Sequence, residues 1–183
     1  MTREEWLRRF VRRARPVFEA DGLTIPERLF VGVGLLDRRA VGRTYSDKLS
    51  SVGAVEITVE QTRDSTVEVA GTLVHELIHA SGIHGHRRDF AKAGRQLGLC
   101  GKPRSMRFDQ ALPEWAETIV EMIGPYPPGT LQHPPREKRQ TTRMLKVECQ
   151  ACGMIWRASR SALDGKRLAC PDADCAAPVA VDE

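Results

Sequence analysis

The sequence has no run of apolar residues approaching the roughly 18 needed to cross a bilayer, which argues against a helical membrane span. Its start is basic, with Arg3, Arg8, Arg9, Arg12, Arg13 and Arg15, yet no apolar stretch of roughly 7–15 residues follows, as a secretory signal would require. Without an export signal the expected location is a reducing cytoplasm, where cysteines serve as metal ligands more often than as disulfides. Internal repeats and low-complexity tracts are also lacking. The net charge of +4 is too small to identify a partner by itself.

What is present is a chain of 183 residues with an ordinary hydrophobic fraction of 41%, enough for one α+β domain and a small appended module. Trp6, Leu7, Phe10, Ala14, Val17 and Phe18 recur at helical spacing and predict an amphipathic helix over residues 3–20. Residues 29–35 and 54–59 read as strands, the second with β-branched alternation. Ser65 or Thr66 can cap a helix running to about Gly82. Further helices are expected over 89–97 and 113–123. From Gly124 the composition turns to proline and glycine, which divides the chain into a domain at 1–124, an extended linker at 125–140 and a cysteine-bearing module at 141–183.

The most informative segment is His75-Glu76-Leu77-Ile78-His79. Residues four apart on a helix lie about 6 Å apart along its axis and on one face, so both imidazoles can reach one metal ion. Glu76 is then free to act as general base on a zinc-bound water, and peptide hydrolysis is the chemistry this arrangement serves. A catalytic zinc takes a third protein ligand and keeps one open position. His84 and His86 both follow the helix, and spacing alone does not choose between them. Tyr45 and Tyr126 are the tyrosines to consider for stabilising an oxyanion.

Cys149-x2-Cys152 and Cys170-x4-Cys175, with seventeen residues between the pairs, have the spacing of two zinc knuckles. Four thiolates close a tetrahedral site, so this second zinc is expected to be structural. Cys100 is remote from both pairs and reads as a packing residue. Between Arg136 and Arg167 there are nine Lys/Arg against three Asp/Glu; with Trp156 interleaved, this cationic stretch is compatible with nucleic-acid contact.

Taken together, His75–Ala80, Gly85-His86 with Phe90 four residues on, Leu97-Gly98-Leu99, Gly124-Pro125-Tyr126-Pro127 and Arg143–Cys149 resemble the SprT-like metallopeptidases, over about residues 53–175. The resemblance implies a minimal zincin-like fold, with the HExxH helix beside a small sheet and a C-terminal β zinc ribbon. It implies an endopeptidase, His86 as third ligand and Phe90 as a packing residue. Its better-studied relatives, the Spartan proteases, digest DNA-bound proteins, so by analogy the substrates would be DNA-associated proteins. Two features depart from the family pattern: Arg87-Arg88 replaces a smaller pair, and the loop from His79 to His86 is short.

Overall fold

The first helix, α1 (Arg3–Ala20), is capped by Thr2, whose Oγ1 accepts from the Glu5 amide at 3.1 Å, and Glu4 and Glu5 complement its dipole. Trp6, Leu7, Phe10, Val11, Ala14 and Phe18 form its buried stripe, as the spacing predicts. In this computed structural model the described residues are 1–37, 40–133, 144–165 and 168–179. The chain is a mixed α+β protein that divides into two compact units, Met1–Pro134 and Pro135–Glu183.

In the first unit, strand β1 (Leu29–Gly34) pairs in parallel with β3 (Val55–Glu60), Leu29 facing Val55. Strand β2 (Gly42–Tyr45) pairs antiparallel with β3, Thr44 facing Ile57. The order β1-β3-β2 leaves β2 at an edge. Against β2 and β3 packs α2 (Thr66–Ala80), capped by Ser65, whose Oγ accepts from the Glu68 amide at 3.5 Å. Every residue from Val69 to Ile78 is buried, so α2 is a central helix whose slight remaining exposure in that stretch, at Thr72, His75 and Glu76, faces a cleft. Two further helices, α3 (Arg88–Gln96) and α4 (Glu114–Ile123), complete the layer; α4 packs on α1, where Trp6 Nε1 donates to the Gly124 carbonyl at 2.8 Å.

The first half of the stretch expected as a linker, 125–140, makes contacts with the first unit. Tyr126 is buried edge-on against Trp6, with ring centroids 5.2 Å apart, and its amide donates to Thr66 Oγ1 at 3.0 Å. The Leu131 amide donates to the Gln61 carbonyl at 3.2 Å. Proline-rich composition signals an extended backbone, but one aromatic side chain suffices to dock that backbone on a core. Residues 134–140, the rest of the expected linker, and the expected module start at 141 lie outside the described residues.

The second unit contains a hairpin of β4 (Met144–Glu148) and β5 (Ile155–Ser159), a short helix α5 (Arg160–Leu163) capped by Ser159, and a small ladder of β6 (Leu168–Ala169) with β7 (Pro178–Val179). Among the described residues no helix is long and apolar enough to cross a membrane.

Candidate metal centres

The first site is built on α2. His75 and His79 lie one turn apart, and the chain leaves the helix through Gly82, in the left-handed region at φ 93°. The reversal brings His86 back over the helix end. Its Nε2 lies 3.0 Å from Nε2 of His75 and 3.2 Å from Nε2 of His79. His84, the rival in the sequence, is exposed on the same loop and is not part of this three-histidine group.

The tautomers follow from the partners. His75 Nδ1 lies 3.1 Å from the Met106 carbonyl and His79 Nδ1 lies 2.8 Å from the Ile83 carbonyl. A carbonyl only accepts, so each Nδ1 carries the proton and donates, and each Nε2 turns a lone pair toward the other rings. Burial, with lesser contributions from neighbouring charges, lowers the pKa of all three imidazoles, that of His75 to about 4. Three neutral imidazoles with converging lone pairs form a donor set for a cation. Tetrahedral zinc with bonds of about 2.0–2.1 Å spaces its nitrogens about 3.4 Å apart, close to the separations here. Beneath them lies Phe90 of α3, fully buried, with its ring centroid 4.6 Å from those of His75 and His79 and 4.9 Å from that of His86.

Glu76 is 6% exposed and does not join the ligand group. Thr44 of the edge strand approaches it: the hydroxyl lies 2.7 Å from Oε2, to which it donates, and 3.0 Å from the Glu76 carbonyl. Burial pushes the Glu76 carboxyl up to about 7, against the opposing pull of Thr44 and Arg43. Two residues along the same face of β2, Gly42 permits this approach: a Cβ there would lie 2.7 Å from Glu76 Oε1 and 2.8 Å from Thr72 Cγ2. The histidines and Glu76 open on a cleft of about 1190 Å³, walled on one side by β2 and on another by residues 104–107. Neither Tyr45 nor Tyr126 lines it.

The second site is in the other unit. Cys149, Cys152, Cys170 and Cys175 bring their sulfurs within 4.8 Å of one another. Cys149 Sγ lies 3.8 Å from that of Cys175, and Cys152 Sγ lies 3.6 Å from that of Cys170. These separations are far beyond a disulfide bond of about 2.05 Å. They match the roughly 3.8 Å between sulfurs on tetrahedral zinc with bonds of about 2.3 Å. The amides of Cys152 and Ala151 draw the Cys149 thiol down to about 7, whereas burial pushes Cys170 up to about 12. Packing four thiolates here is costly without a cation among them and natural with one. Cys100, expected to pack, is exposed and makes a small bridge with Arg107.

Sequence reasoning missed Thr44, Gly42 and the two carbonyl acceptors. Strand alternation puts residues 42 and 44 on one face of β2, which is the only local signal for the first pair; the carbonyls of Ile83 and Met106 have none. Of the cationic side chains near the cysteines, Lys146 and Arg157 face each other across the hairpin, while Trp156 sits opposite buried Val147. Arg136, Lys138, Arg139, Arg143, Lys166 and Arg167 lie outside the described residues. No protein-family model, no curated protein and no solved structure matches this chain.

Proposed function

We propose that this protein is a zinc-dependent metalloendopeptidase of the SprT-like kind, with a minimal zincin-like domain and a C-terminal zinc ribbon. The observation that carries the reading is the contrast between its two metal-ligand groups. The four cysteines form a complete tetrahedral set, which suits a structural ion. The three histidines leave a fourth corner toward an open cleft, and the adjacent carboxylate is buried without joining the set.

His75, His79 and His86 would hold the catalytic zinc through Nε2, and Cys149, Cys152, Cys170 and Cys175 the structural one. When bound in the histidine site, zinc supplies a Lewis acid that polarises a peptide carbonyl and lowers the pKa of a water to about 7. The Glu76 carboxylate, oriented by the Thr44 hydroxyl, takes a proton from the attacking water and hands it to the departing amine nitrogen. The Met106 and Ile83 carbonyls hold the two helix-borne imidazoles in the ligand tautomer.

The test compares wild type with Glu76→Gln on casein and for self-cleavage, with and without single-stranded DNA, while zinc content is measured. The expected result is about two zinc ions per chain in both proteins and a loss of roughly 10²–10⁴ in rate for the variant. Equal inertness with both ions bound would leave a non-enzymatic zinc-binding module that binds nucleic acid or the transcription machinery. His86→Ala should bring the zinc content from about two toward one, and His84→Ala should leave it unchanged.

A further inference from the structure

The walls of the cleft carry more positive charge than the site needs. Arg28, Arg43, Lys48, Arg63, Arg104 and Arg107 line it, against Asp47 and Glu68 besides the buried Glu76. Some of these cations are already engaged: Arg63 pairs with Glu68 at 2.7 Å, Arg43 pairs with Asp37 at 2.6 Å, and Arg28 donates to the Val52 carbonyl. Lys48, Arg104 and Arg107 make no ion pair among the described residues.

Arg104 and Arg107 are exposed and flank Met106, the buried residue whose carbonyl holds His75. The chain advances at most about 3.6 Å per residue, so the backbones of both arginines lie close to the Met106 carbonyl, and both side chains line the same cleft as His75, His79 and His86. We infer that the cleft selects polypeptides with acidic side chains near the bond to be cut, and that Arg104 and Arg107 are the specificity-determining residues. This rests on the peptidase reading above.

A single-stranded nucleic acid is the other polyanion to weigh. Grooves that take one combine cations with aromatic side chains on which the bases stack. Among the described residues no Phe, Tyr or Trp lines this cleft, and its apolar surface comes from side chains such as Val41, Leu49 and Met106. A chain of alternating apolar and carboxylate side chains satisfies such a lining, whereas stacked bases find no platform.

The test uses full-length zinc-loaded Glu76→Gln protein, so that binding is read without cleavage. The probes are fluorescein-labelled Ala/Gly/Ser decapeptides with Asp, Ala or Lys on both sides of a central Ala-Leu, and a single-stranded oligonucleotide. The Asp peptide is expected to bind at least about tenfold more tightly than the Lys peptide, with the gap narrowing as NaCl rises from about 50 to 500 mM. Adding Arg104→Glu and Arg107→Glu should abolish or invert the preference with zinc content unchanged. If that protein fails to fold, Arg104→Gln with Arg107→Gln should still close most of the gap. Equal binding of Asp and Lys peptides would overturn the inference, as would a preference that survives reversal. Oligonucleotide binding that displaces the Asp peptide and is lost on reversal would also overturn it, in favour of nucleic acid. Internally quenched versions of the peptides, given to wild type, separate the two claims: selective binding of the Asp peptide without any cleavage upholds the charge selectivity and sinks the peptidase reading.

Discussion

Thr44 stands 32 residues before Glu76 in sequence and reaches it only because β2 is the edge strand beside α2. A hydrogen bond to a buried carboxylate contributes about 1.5–3 kcal/mol, and here it acts on the group proposed to carry the proton. Thr44→Val keeps the β-branched shape and removes the hydroxyl, and with it the contacts to the Glu76 carboxylate and carbonyl. It should lower kcat roughly ten- to hundredfold, with zinc content and KM little changed, because Thr44 has no hydrogen bond to any of the three histidines proposed as ligands. The sign of the pH effect follows from the same contact. Thr44 favours the ionised carboxylate, so its loss raises the Glu76 pKa, and the acid limb of the kcat/KM profile moves to higher pH. A variant with an unchanged profile and an unchanged kcat would reduce Thr44 to a packing residue. Gly42→Ala attacks the same geometry by bulk, since its Cβ would meet both Glu76 and Thr72.

Among the elements, α3 has the least obvious role and a large one. Through Phe90 it supplies a floor that touches all three imidazoles, so ring orientation depends on a helix that contributes no ligand. Phe90→Leu should cost about 1 kcal/mol of stability as a hydrophobic swap, and also weaken zinc binding about tenfold by letting the rings tilt. Competition with a chromophoric chelator measures the second effect; destabilisation with undiminished zinc affinity would make Phe90 ordinary core. Much at this scale was legible in the sequence, because it is written locally. The stripe Trp6-Phe10-Ala14, the Ser65 cap, the His75/His79 spacing and the two cysteine pairs each declare themselves within a turn or a knuckle. The features that sequence reasoning missed join distant segments: Thr44 to Glu76, the Met106 carbonyl to His75, and Tyr126 to Trp6. Nothing in the composition of residues 125–133 marks Tyr126 as an anchor, since prolines advertise extension whether or not the strand is docked.

The whole molecule combines two units whose means of holding together differ. The first unites residues of α1, α2, α3, α4 and the sheet in one apolar core, to which its three histidines add only a rim. In the second, the buried apolar residues among those described are Val147, Cys149, Leu163 and Cys170, and two of these four are themselves candidate ligands. A core that small cannot offset the entropy of ordering the chain, so an ion held by the four cysteines would supply the difference. Stripping both ions with a strong chelator should therefore act unequally. Amides of β4 and β5 should lose their protection in hydrogen exchange, while those of α1 and β3 keep theirs. Cys170→Ser should reproduce the first effect without the second, and should leave one zinc per chain in the histidine site. A hairpin that stays protected after both ions are gone would mean that its few apolar contacts suffice. If α1 exchanged as readily as the hairpin, the histidine site would be a structural support of the first unit, not a rim added to a finished core.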